Sequence, residues 1–144
     1  MMRILLPEGW PRPSGYSNGV VAEGRMVFVA GQVGWDATQT IRSDDFVEQV
    51  RQALENSLAV LAEAGAGPDH LVRIVWYVTD TQDYLGRLKE LGQVYWEVVG
   101  KHYPAMTLVE VSALIEPGAK VEIETTAVIP LGIDRGPMPS SDTT

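Results

Sequence analysis

The run Leu71-Val72-Arg73-Ile74-Val75-Trp76-Tyr77-Val78-Thr79 limits the fold more than any other part of the chain. It is too short for a typical helix, and its β-branched and aromatic side chains crowd a helical turn but suit a pleated surface. The run is therefore predicted to be a central strand, buried on both faces. Such a strand needs neighbours along its edges and a layer against its faces. Two flanking segments supply that layer. Phe46, Val50, Leu54, Leu58 and Leu61 recur at helical spacing, with Ser43, Asp44 and Asp45 at the N-terminus and Gly65 as a stop. Tyr84, Leu88, Leu91, Tyr95 and Val98 form a second helical face that ends near Gly100.

The remaining strands are shorter. Val20-Val21 and Met26 to Ala30, separated by Ala22-Glu23-Gly24-Arg25, predict a β-hairpin closed by Gly31-Gln32. Met106 to Val111 and Lys120 to Val128 flank a Glu116-Pro117-Gly118 turn. Alternation puts Met106, Leu108 and Glu110 on one face and Thr107, Val109 and Val111 on the other. It likewise sets Glu122, Glu124 and Thr126 against Val121, Ile123 and Thr125, and the Val and Ile faces are expected to meet the helices. The proline-rich first 18 residues predict an irregular lead-in with at most an edge strand at Arg3 to Leu6, and 130–144 a flexible tail. The expected architecture is one α+β domain over 1–129, a mixed sheet with two helices on one face. The bare face, assigned Met106 and Leu108 beside Glu110, Glu122 and Glu124, calls for oligomerisation.

Composition narrows the partners. The net charge is −8, from 19 acidic and 11 scattered basic residues, which opposes nucleic-acid binding. No apolar run reaches the length of a membrane helix, and there are no cysteines, so a soluble, cytoplasmic protein without a disulfide framework or membrane partner is expected. His70 and His102 have no acidic partner at ligand spacing, and neither a phosphate loop nor a Gly-x-Ser-x-Gly elbow is present, so no metal, no cofactor and no serine nucleophile are expected.

Four spaced motifs then converge: Gly15-Tyr16-Ser17-Asn18-Gly19-Val20, Val29-Ala30-Gly31-Gln32, Tyr103-Pro104-Ala105 before a strand, and Lys120-Val121-Glu122-Ile123-Glu124-Thr125-Thr126-Ala127-Val128. Together, over roughly residues 15 to 129, they resemble the RidA (YjgF) family. The resemblance implies a chorismate-mutase-like fold, a homotrimer whose sheets form a barrel, and small-molecule clefts between subunits. Archetypal members hydrolyse enamines and imines such as 2-aminoacrylate without a cofactor. Their arginine after the Pro-Ala pair grips the substrate carboxylate, and the first glutamate of the Val-Glu-Ile-Glu strand positions water. Here Met106 stands where that arginine is expected, followed by Thr107 and Leu108. A thioether cannot replace a guanidinium–carboxylate contact worth roughly 1.5–3 kcal/mol.

Glu122 is the candidate general base; the alternative is an ion-pair partner for Arg73 or Lys120. Tyr16, by resemblance at the cleft rim, offers a stacking face, and Gly31 a backbone amide at close approach. Trp35, Met106, Thr107 and Leu108 complete the candidate substrate-binding set, with Trp35 as an apolar wall. Two functions remain open: a RidA-like hydrolase whose substrate is not 2-aminoacrylate, and a non-catalytic trimer that binds a metabolite or a protein.

Overall fold

A computed structural model describes residues 2–132, and the flexible tail expected over 130–144 falls almost wholly outside them. The elements are β1 (Met2–Leu5), β2 (Gly19–Ala22), β3 (Arg25–Val33), α1 (Phe46–Glu63), a 3-10 turn (Pro68–His70), β4 (Leu71–Val78), α2 (Thr81–Leu85), α3 (Leu88–Val98), β5 (Ala105–Glu110) and β6 (Val121–Ile129). A four-stranded sheet runs β3-β6-β4-β5, and β1 and β2 form a separate antiparallel pair. Only β4 and β5 are parallel, so the larger sheet is mixed.

β4 is central, as its sequence demands, but its own chain covers only one face. Ile74, Trp76 and Val78 are buried beneath the helices, while on the opposite side Arg73 is exposed, Tyr77 partly so, and Val75 between them is buried. The core is completed by Val50, Leu54 and Leu61 of α1, Leu91 and Val94 of α3, and Val121 and Ile123 of β6.

Three expectations are corrected. The predicted hairpin does not form: β2 pairs with β1, and β3 pairs with β6 from Arg25↔Ile129 onward. Gly24, at φ +147°, carries the chain from one sheet to the other. It passes so near Ile129 that a Cβ there would lie 1.9 Å from the Ile129 carbonyl oxygen. On β5 it is the Met106 and Leu108 side that meets the helices, because the parallel register sets Ile74 beside Met106 and Trp76 beside Leu108. Glu110 lies on that side too, and its carboxylate accepts the Thr81 N–H at 2.9 Å, at the start of α2. The bare face carries Glu122, Glu124, Thr107 and Val109 instead. Lastly, the second helix is two. Gly86 follows α2, and Arg87 (φ −136°, ψ 34°) leaves the helical region before α3 begins.

Side chains fasten these pieces together. Arg87 bonds Asp45, the N-cap of α1, and Glu90 of α3. Arg87 holds the Asp45 carboxyl below the usual carboxylate range. Gln49, 1% exposed, donates to the carbonyls of Ser43 and Gly118 at 3.0 Å each and accepts the Lys120 N–H at 2.8 Å. It thereby fixes α1 to the loop that feeds β6. Gln49→Met keeps the volume and removes all three part-buried bonds at once, so it should lower unfolding free energy by about 2–4 kcal/mol. Urea denaturation measures this, and a change within error would show that the loop holds without the glutamine.

Candidate functional site

Two features carry chemical potential, and the sheet separates them. The first is a cavity of about 490 Å³ between the sheet and the α2–α3 unit. Trp76 of β4 and Met106 of β5 form its floor, Tyr84, Leu88, Leu91 and Tyr95 its helical wall, and Ser14 with Gly15 a flank. Gly92 also lines it, and the position of its missing Cβ faces open space. Among the described residues, no charged side chain lines the cavity. Burial pushes the Tyr84 and Tyr95 phenols up, which keeps them neutral, and Tyr95 donates its hydroxyl proton to the His102 carbonyl. The Tyr84 ring meets Trp76 edge to face at 5.7 Å, and the Trp76 indole N–H has no acceptor among the described residues. The cavity is built to hold an apolar or aromatic group by contact.

The second feature is a carboxylate laid over a glycine. The β3–β6 register shifts between Val29 and Gln32, and Gly31 sits within that irregularity. A Cβ at Gly31 would stand 2.5 Å from Glu122 Oε2 and 2.8 Å from its Cδ and Cγ. Only a glycine lets the carboxylate rest against the backbone there. Neither Arg73 nor Lys120 forms an ion pair with Glu122 among the described residues. Glu124, one pleat along, accepts the Tyr77 hydroxyl at 3.1 Å, and this bond raises the phenol's pKa.

The sequence-predicted residues thus fall into separate groups. Glu122 and Gly31 are together. Met106 lines the apolar cavity, while Leu108 on the same face packs into the core and Thr107 points the other way, opposite Val75. Met106 is level with Ile74 and Thr125 on the helix side, whereas Glu122 is level with Tyr77 on the bare side. Within one chain they cannot touch the same small molecule. Tyr16 is exposed and lines a second groove, described below. Trp35 bridges to Ile41, and its carbonyl accepts from Asn56 at 2.8 Å, so it braces the loop between β3 and α1 and lines neither feature. His102 and His70 are structural: His102 Nε2 lies 2.6 Å from the Leu71 carbonyl, and His70 Nδ1 accepts from Gly67. Sequence reasoning missed Trp76, Tyr84 and Tyr95 as cavity residues by assigning them to core. The available signal was Gly92 beside Leu91 on an otherwise bulky helix, which leaves the wall a place to open.

The family model described as Endoribonuclease L-PSP matches residues 11–129. A RutC family protein of Pyrococcus horikoshii is 33% identical over 128 residues, covering 88% of this chain and 98% of that protein. Human 2-iminobutanoate/2-iminopropanoate deaminase is 27% identical over 114 residues, 78% of this chain and 79% of its own. The crystal structure of a Rid family protein of unknown function, YyfB from Yersinia pestis, superimposes with a TM-score of 0.78 at 33% identity, covering 89% of this chain and 98% of that one.

The contact between Gly31 and Glu122 can be tested alone. In Gly31→Ala the new methyl displaces the end of a flexible side chain, and backbone strain is absent because Gly31 is not among the positive-φ residues. Stability should change by less than about 1 kcal/mol while the carboxylate swings away in the variant's crystal structure. A Glu122 that stays in place in that crystal structure would mean that β3 itself yields to the methyl.

Proposed function

The chain belongs to the RidA (YjgF) family, and we propose that it works as a cofactor-free hydrolase of imines or enamines, in clefts between the subunits of a homotrimer. The observation that carries this reading is the Glu122 carboxylate, held over Gly31 and left without an ion pair among the described residues. A carboxylate so placed can take a proton from water as the water oxygen adds to the C=N carbon. The C=N π electrons pass to nitrogen, which takes back that proton; the proton of the added hydroxyl then passes through the carboxylate to the same nitrogen, and the carbon–nitrogen bond breaks to give the carbonyl and ammonia. The human relative's name, 2-iminobutanoate/2-iminopropanoate deaminase, describes this chemistry.

Two features support the assembly. Met106 and Glu122 lie on opposite faces of one sheet, so a second chain is required for both to reach one ligand. The bare face also exposes Phe28 (71%) and Met26 (59%) beside its carboxylates, an apolar area of the kind that subunit contact covers. Met106 and its uncharged cavity point to a substrate with an apolar side chain rather than to 2-aminoacrylate.

The same uncharged cavity favours a second reading, a trimer that binds a metabolite without converting it. An endoribonuclease, the activity in the matching family model's description, fits poorly with a net charge of −8.

Turnover separates the first two. Imino acids generated in situ by an amino-acid oxidase should be hydrolysed faster when their side chain is bulky and apolar than when the compound is 2-aminoacrylate. Glu122→Gln should cut kcat by roughly 10²-fold while leaving the thermal midpoint unchanged. An unaltered kcat in a fully folded Glu122→Gln protein would remove the catalytic role.

A further inference from the structure

Met106 and the cavity it lines offer no charge to an anionic ligand, which raises the question of where such a charge would go. A second groove, also of about 490 Å³, has Tyr103 in common with the apolar cavity. One bank is Arg12, Pro13 and Tyr16 of the lead-in with Asn18, the other is Lys101, and Ile4, Leu5 and Leu6 add an apolar wall. Among the described residues no carboxylate lines it, in a chain where acidic residues outnumber basic ones 19 to 11. Neither Arg12 nor Lys101 has an ion-pair or hydrogen-bond partner among the described residues.

Both banks are built rather than loose. Arg12 lies between Pro11 and Pro13, which fix their own φ, and a residue before proline is confined to extended backbone. The lead-in is then pinned by Ser17, whose N–H donates to the Pro104 carbonyl at 3.0 Å and whose hydroxyl donates to the Tyr103 carbonyl. Across the groove, Lys101 follows Gly100, whose φ of +94° turns the chain out of α3. Its neighbours are held in turn, His102 against the Leu71 carbonyl and Tyr103 stacked on Tyr95 at 5.5 Å. Two cations are thereby presented on opposite banks with little backbone freedom left to lose on binding.

We propose that this groove binds the carboxylate of a ligand with an apolar body, through Arg12 and Lys101, and so supplies the anchor that the uncharged Met106 cavity does not. Arg12 supplies a planar fork matched to a carboxylate, Lys101 a point charge, and Ile4 to Leu6 the surface for the body. Its role as substrate anchor rests on the hydrolase reading above; the anion site itself does not.

Calorimetry on the full chain tests the site without turnover, with octanoate, its neutral counterpart octanamide and inorganic phosphate as probes. Octanoate should bind, and octanamide and phosphate should each bind roughly tenfold or more weakly, because one lacks the charge and the other the apolar body. Combining Arg12→Gln with Lys101→Gln should weaken octanoate by at least about tenfold at an unchanged thermal midpoint, and raising salt should weaken the wild type. Lys89→Gln, an exposed charge outside the groove, should have no such effect. Equal binding of octanoate and octanamide, phosphate matching octanoate, full affinity in the double variant, or an equal loss in Lys89→Gln would each overturn the assignment. If octanoate binding is lost in the double variant while its KM for imino acids is unchanged, the anion site stands and its role as substrate anchor falls.

Discussion

One-sided cover of the sheet governs the rest of this molecule. α1 and α3 both pack on the face formed by Ile74, Trp76 and Val78, with Val121 and Ile123 beside them. Burying that face supplies most of the apolar area removed from water, and leaves its reverse with Phe28, Met26, Val109 and the carboxylates of Glu122 and Glu124. The position of every functional candidate follows from which face its strand residue takes. Because side chains alternate along a strand, the cavity at Met106 and the carboxylate at Glu122 are forced to opposite sides.

Much of this order was legible in the residues. The β-branched run at Leu71 and the helical spacing of Phe46 to Leu61 predict elements that form with nearly the expected limits, and of Ser43, Asp44 and Asp45 it is Asp45 that caps α1. What failed depended on partners distant in sequence. The Gly24 segment has the composition of a hairpin turn, yet β3 lies along β6 over its length and the short β2 is left to the equally short β1. Alternation in β5 defines two faces without saying which is inward, and the parallel register with β4 decides for Met106 over Val109. Periodicity runs through Tyr84, Leu88 and Leu91 as if unbroken, while the backbone leaves the helical region at Arg87.

The candidate site was legible in the same uneven way. Glu122 and Gly31, named from separate motifs far apart in sequence, meet in space. The aromatic cavity was concealed because its residues carry the periodicity of an ordinary core. Arg12 was concealed for the opposite reason, since the proline-rich lead-in has no periodicity from which to predict a surface. Met106 joins the two observations: it belongs to an uncharged cavity, while Arg12 and Lys101 line a different groove.

The central claim is that the Glu122 face and the Met106 cavity become one site only when chains assemble. The most direct measurement is the mass in solution at micromolar concentration, by light scattering, of the 15.8 kDa chain. A mass near three subunits is the predicted result, and a clean monomer would contradict the claim.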